Sequence, residues 1–566
     1  MAKRQQTVGD VKEIVVERLT WQLARRDDDE VAQAVHGGEE LDAVHPLGEV
    51  GLLDEFFHFL DVSKVLPLLG GLELPAVKRV FVPVVQFVLL YLLKTLLGIE
   101  SMNALPVLLF SNIAAMTLIG FNAHQVANGF THRGDDKRKE RPKQGPLSPQ
   151  CLAQNLSKFT TEQMADLFDG VVRLLVGVVG LRGDLTVALD GSKVETTAKF
   201  TGRGCLTVIR KVKERETGRT VEVAKLLFGW KVLVLIEVRT RLPLAMKVGK
   251  IQDYEGQWLV PLVKQAQQNL GEHARIGKVV VDRGYLDGED LWQIDQLGIT
   301  FVIVAKDGMS VREDAHALAR DAQAVERRRV VRHGHGKNAW TEELTTRLVG
   351  IEGLTTYDAY ANPVEAIHRN RADYTPQRLN AVVVRTWENR EYPNGGLVYL
   401  TNGSVQDPFV VFDDYDWRSV IENGIFKEGK HPWHLTHFSQ KTEEAVIVHC
   451  FFTVLVMALC TAFRLWKVQG ESAEDGSANK PSSPARPKTP TVPLAITLLG
   501  GEGTERWRRR LRAENRDKVI VFVGERYGIF HVSAFAVLAG LRIKPDGIPT
   551  ELGSRTDILA RYGLSP

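Results

Sequence analysis

The chain has little cysteine and almost no net charge, and these two shortages narrow its class before any motif is read. Four cysteines, Cys151, Cys205, Cys450 and Cys460, are scattered through 566 residues with no Cys-x-x-Cys pair. That leaves no disulfide framework to build on and suits a reducing cytosol. The 72 Lys and Arg against 69 Asp and Glu give only +3, so bulk charge does not announce a nucleic-acid partner. Met1-Ala-Lys-Arg-Gln-Gln is followed by no apolar h-region, and secretion is not expected. Gly500-Gly501-Glu502-Gly503 lacks the lysine and following hydroxyl residue of a nucleotide loop. No internal repeat or heptad run is present. Long apolar runs are also scarce: residues 445–463 include His449, Thr453 and Thr461, and residues 80–93 include Pro83 and Gln86. Both read as buried helices of a large folded domain rather than membrane spans.

What is present is locally concentrated. A chain of this length should split into about three or four domains. Residues 132–143 carry six Lys or Arg against three acids, and residues 505–518 carry seven against three; such clusters can neutralise phosphates or simply be solvated faces. Residues 1–175 read as helical, with Leu/Val-rich runs at 47–69 and 77–97, an N-cap at Ser148-Pro149, and a capping box at Thr160-Thr161-Glu162-Gln163. An all-helical dimerisation domain would read this way.

From 183 onward the texture turns to strands. Residues 185–189, 227–238 and 244–251 are β-rich, with Arg241-Leu242-Pro243 as a hairpin turn. Then come a helix over 257–270, a strand at 279–281, a helix over 288–296 and a strand at 300–304. The order β-β-β-α-β-α-β is the ribonuclease H-like pattern, which sets the first and fourth strands side by side. Residues 306–395 read as an inserted β-rich subdomain, the core resumes over 396–468, residues 469–492 form a Ser/Pro-rich linker, and 493–566 form a small C-terminal appendage. The fold class expected is thus α/β, a ribonuclease H-like core interrupted by a β-rich insertion, with a helical N-terminal region.

Three carboxylates stand out against this frame. Asp190 closes the apolar run at 185–189, Asp282 closes Lys278-Val279-Val280-Val281, and Glu422 lies in Tyr415-Asp-Trp-Arg418-Ser-Val-Ile-Glu422. An apolar run ending in an acid reads as a buried strand that delivers a carboxylate to the sheet rim. Tyr415, Arg418 and Glu422 are spaced i, i+3, i+7 and would share one helix face. Asp190-Gly191-Ser192, Asp282-Arg283-Gly284-Tyr285 and the Tyr415/Arg418/Glu422 triplet resemble the DDE transposases of bacterial insertion sequences, in the branch with a Tyr-x2-Arg-x3-Glu signature. The resemblance spans about residues 180–466. In that branch a lysine follows the glutamate after six residues; here Lys430 follows after seven, and Lys427 is a rival.

The resemblance implies DNA cleavage at element ends followed by strand transfer, acting on double-stranded DNA as a homodimer in a cytoplasmic, nucleoid-associated setting. For residues 1–175 it implies a DNA-end recognition domain. Hydrolysing a phosphodiester calls for charge neutralisation on attacking and leaving oxygens together, which two Mg²⁺ ions (or Mn²⁺) held by carboxylates supply. Asp190 would bridge both ions while Asp282 and Glu422 each complete one. Tyr415, Arg418, and Lys427 or Lys430 would grip phosphates. A catalytically inactive DNA-binding descendant and a carboxylate-pair glycosidase are the alternatives. Trp340 is a candidate for base stacking or for ordinary packing. His431-x-x-His434-x-x-His437 offers metal-type spacing, but Pro432 and Trp433 interrupt a helix there and no partner ligand is apparent.

Overall fold

The computed structural model describes residues 25–47, 51–74, 82–121, 147–213, 220–334, 336, 339–364, 375–392, 396–431, 433–474, 517–524 and 526–539. The basic cluster at 132–143 lies outside them, as does that at 505–518 except for Asp517 and Lys518. The chain divides into two compact units, residues 175–427 and residues 1–174 with 428–566.

The first of these is built on one large mixed sheet. Its strands are β1 (Gly183–Thr196), β2 (Gly204–Lys213), β3 (Thr220–Glu237), β4 (Pro243–Lys250), β5 (Ala274–Val281), β6 (Thr300–Val304), β7 (Val325–His333), β8 (Trp340–Leu354), β9 (Leu379–Trp387) and β10 (Val398–Thr401). β3 runs antiparallel to both β1 and β4, while β1, β5 and β6 are mutually parallel neighbours. The spatial order β4-β3-β1-β5-β6, with helices Leu259–Leu270 and Gly288–Gln296 in the crossovers, is the ribonuclease H-like arrangement. Strands buried on both faces carry continuous apolar runs: Val187, Ala188, Leu189 and Val279 to Val281 are fully buried.

Two features of this sheet were not expected from the sequence. Strand β2, unread in the sequence, pairs with the first half of β3 as a hairpin arm, from Gly204↔Gly229 to Lys213↔Thr220. Ile209, Val223 and Leu226 are exposed on it. Gly229, at φ +147°, marks the passage of β3 from arm to core; a Cβ there would stand 2.1 Å from the Val194 carbonyl oxygen. The insertion is β-rich and joined to the core sheet: β10 pairs antiparallel with β6, and β9, β8 and β7 continue the same sheet outward.

The other unit is mainly helical. Ser148 caps helix Pro149–Leu156 by accepting from the Cys151 amide, and Thr160 and Gln163 cap each other reciprocally at 3.1 Å before helix Thr161–Val179. Helix Glu443–Glu474 is long and apolar enough over residues 443–467 to cross a membrane, yet its 18-residue apolar window is wholly buried. It is a core helix, ringed by Tyr91, Phe56 and Phe59. It also extends to Glu474, so residues 469–474 belong to a helix and not to the expected linker. The C-terminal segment is no separate appendage either. Lys518–Val523 pairs antiparallel with Ala43–Pro46, and Arg526–His531 pairs parallel with Arg25–Arg26, so N- and C-terminal segments complete one four-stranded sheet.

Candidate active site

The register of β1 on β5 places the first two carboxylates. Gly183 to Leu189 pair in parallel with Ala274 to Val281, ending at Leu189↔Val281. Asp190 and Asp282 are the next residues of their strands, and neighbouring strands lie only about 4.8 Å apart. β5 stops there, whereas β1 continues to Thr196 along β3. Asp190 therefore sits mid-strand, at the point where its neighbour ends, rather than at the strand end the sequence suggested. Each carboxylate accepts from a backbone amide just beyond it: Gly191 N–H reaches Asp190 Oδ1 at 2.7 Å, and Gly284 N–H reaches Asp282 Oδ1.

Glu422 arrives from a helical segment. Helices Pro408–Asp416 and Arg418–Ile421 lead into a π turn over Glu422–Lys427 and a last short turn, Glu428–Lys430. Arg418 stands between Asp190 and Glu422, with guanidinium nitrogens 3.7 Å from Asp190 Oδ2 and 3.7 Å from Glu422 Oε2. Tyr415 packs its ring against Tyr399, with centroids 5.0 Å apart. Burial pushes its phenol up in pKa, while nearby Arg418 and Arg283 oppose that shift. Lys427 is exposed and Lys430 half-buried. Asp413 and Asp414 stand just before Tyr415 in the same helix. They lie near the C-terminal end of their helix, and Arg327 and Lys278 pair with them.

A fourth carboxylate joins the site that sequence reasoning missed. Glu255 follows β4 and pairs with Lys231 of β3 at 2.8 Å. Its Oε2 lies 3.1 Å from where a Cβ on Gly191 would be, and 4.0 Å from where one on Gly284 would be. The glycines of Asp190-Gly191 and Asp282-Arg283-Gly284 thus leave room for carboxylates; Asp282 Oδ1 itself is 2.7 Å from the Gly284 position. No spacing rule flags Glu255, because it lies in a loop between β4 and a short 3₁₀ turn.

The crowding has an electrostatic signature. Burial pushes the Asp190 carboxyl up to about 6, and Asp282 and Glu255 add to the rise; the Gly191 amide and Arg418 work against it. Tyr285 is fully buried, its hydroxyl has no hydrogen-bond partner, and burial followed by Glu255, Asp190 and Asp282 pushes its pKa upward. Four carboxylates with Arg418 and Lys231 as their cationic neighbours favour either a proton or an added cation.

Other expected features resolve differently. Trp340 is 56% exposed and stacks on His333 at 4.2 Å. In the other unit, Glu100 comes to the His434/His437 pair that looked partnerless in sequence, with ligand atoms within 4.8 Å of one another. His437 Nε2 meets Glu100 Oε1 at 2.8 Å, a contact that an ordinary ion pair accounts for.

No curated protein matches the chain. A cryo-EM structure described as the piggyBac transposase synaptic complex with hairpin DNA aligns at a TM-score of 0.35 and 7% identity, covering 86% of this chain and 85% of that one. That likeness is too remote to inform the site. Residues 182–459 match the family described as Transposase DDE domain, a span that takes in β1, β5, the helical segment and all three carboxylates of the sequence motif. This part of the chain belongs to the transposase DDE family.

Proposed function

We propose that the chain is a DNA transposase that cleaves DNA at the ends of its insertion element and joins the released ends to a target by cut-and-paste transposition. Asp190, Asp282 and Glu422 are its catalytic acids. The observation that carries this reading is the parallel register, which delivers Asp190 and Asp282 to adjacent positions on a rigid buried sheet.

The residues fit divalent cations. The donors gathered at the sheet rim are all hard oxygens, with no Cys or His among them, as Mg²⁺ or Mn²⁺ prefers. The unpartnered Tyr285 hydroxyl is a buried polar group within electrostatic reach of Glu255, Asp190 and Asp282. Two such ions, when bound, would neutralise the attacking and leaving oxygens of an in-line displacement. Asp190, Asp282 and Glu422 would hold them. Arg418, Tyr415 and exposed Arg283, with Lys427 or Lys430, would hold the flanking phosphates and fix the register of the scissile bond. Synapsis of two element ends would call for a homodimer. The setting we propose is the cytoplasm, at the nucleoid. A glycosidase reading finds no support beside membership of the transposase DDE family.

Cleavage of a labelled DNA carrying the element's own terminal repeats tests the proposal. Alanine at Asp190, Asp282 or Glu422 should each lower cleavage by roughly 10³-fold, the scale of losing an electrostatic stabiliser of the transition state. DNA binding in a gel-shift assay should persist. Cleavage at wild-type rate in any one variant removes that residue from the site, and unimpaired cleavage in all three leaves the transposase reading without an active site.

A further inference from the structure

We infer that Glu255 is a fourth carboxylate of the divalent-cation pocket, supplying oxygen to the ion that Asp190 and Asp282 would share. The inference rests on the divalent-cation reading of that pocket and extends it to a residue outside the three-acid motif.

Three observations converge. The Glu255 carboxylate lies over both motif glycines, 3.1 Å from the Cβ position of Gly191 and 4.0 Å from that of Gly284. It is therefore beside the residues that follow Asp190 and flank Asp282. Its charge acts on Asp190 in the same direction as that of Asp282. The Tyr285 hydroxyl, fully buried and without a hydrogen-bond partner, is under the influence of Glu255, Asp190 and Asp282 together. An orphaned hydroxyl in the electrostatic neighbourhood of three carboxylates has the chemistry to donate to one of them or to a water held in the pocket.

Lys231 explains how a fourth acid is tolerated there. Its ammonium pairs with Glu255 Oε1 at 2.8 Å and donates to the Asp253 carbonyl at 2.8 Å, on a side chain only 7% exposed. Glu255 Oε2 is the oxygen turned toward Gly191 and Gly284. One carboxylate oxygen is thus anchored by Lys231 while the other faces the pocket, which is how a metal-binding carboxylate is oriented by an outer partner. Lys231 also competes with a cation for the same charge.

Binding of Mn²⁺ alone to the full-length chain, followed by titration calorimetry and by loss of the free-ion electron paramagnetic resonance signal, tests this without DNA or turnover. Glu255→Gln keeps the shape, removes the charge and should weaken Mn²⁺ binding about tenfold or more. Glu255→Asp should recover part of that loss, and Lys231→Met, which removes the competing ammonium, should tighten binding. A purely structural ion pair would instead let Glu255→Gln and Lys231→Met lower the melting midpoint together and leave Mn²⁺ binding unchanged. If Glu255→Gln binds like wild type while Asp190→Ala does not, the role of Glu255 is overturned and the cation reading stands. If Asp190→Ala and Asp282→Ala also bind like wild type, the cation reading itself falls. Should Lys231→Met fail to fold, the Gln and Asp variants decide the matter.

Discussion

Asp190 and Asp282 are held by adjacent parallel strands of a buried sheet, whereas Glu422 opens a π turn and keeps 64% of its side chain exposed. The difference lies in what fixes each group. Asp190 has its backbone pinned in the ladder with β3, Asp282 stands one residue past the paired end of β5, and the amides of Gly191 and Gly284 orient the two carboxylates. Glu422 is steered chiefly by Arg418, at 3.7 Å, on a segment that changes helix type where the carboxylate stands. π turns recur at functional sites, and the i→i+5 pattern takes one more residue per turn than an α-helix. One half of the site is preorganised, and the other is tuned by a side chain.

Substitutions can break or sharpen that contrast. The largest effect should come from the rigid side. Gly284→Ala puts a Cβ 2.7 Å from Asp282 Oδ1, and displacing a carboxylate by even about 1 Å can cost roughly 10²-fold. End cleavage should fall on that scale with the melting midpoint little changed, and a variant that cleaves normally would show that the strand side is not fixed as described.

On the helix side, Arg418→Ala should act more mildly and in two readouts. DNA affinity should drop with its salt slope reduced by about one. The acid limb of the cleavage pH profile should move upward, because the guanidinium lowers the Asp190 pKa. An unchanged salt slope would remove Arg418 from the phosphate contacts, and an unmoved pH profile would detach it from Asp190.

The smallest effect is on stability. With its folded value near 6, Asp190 binds a proton more tightly in the folded chain than in the unfolded one. Ionising it therefore costs stability as pH rises from the ordinary carboxyl range, and the full cost is present above about 6. Asp190→Asn should consequently stabilise the metal-free chain at pH 7.5, on the order of 2 kcal/mol. That gain should vanish by pH 4. Chemical denaturation at both pH values checks it, and a destabilised Asn variant at pH 7.5 would show the carboxylate to be better satisfied than its surroundings suggest.

Much of the catalytic sheet was legible because local patterns report local structure. The helix at 288–296 and the strand at 300–304 match to the residue, and the Ser148 and Thr160 caps form as their spacing requires. The arm strand β2 was not legible: Arg210, Lys211 and Lys213 break up its apolar content, and its first half is largely solvent-facing. Nor could the sequence tell that 398–401 would pair with 300–304 and draw the insertion into the core sheet. Strand pairing over such separations is set by edge complementarity in three dimensions.

By itself the sequence determined the strands that carry Asp190 and Asp282, the helical run that carries Glu422, and the family-like order of the three, because hydrophobic periodicity and capping act over a few residues. Only the tertiary structure decided the register that sets the two aspartates side by side, the union of N- and C-terminal strands, and the arrival of Glu255 over Gly191 and Gly284. Those depend on packing and charge balance among residues far apart in the chain, which no local pattern encodes.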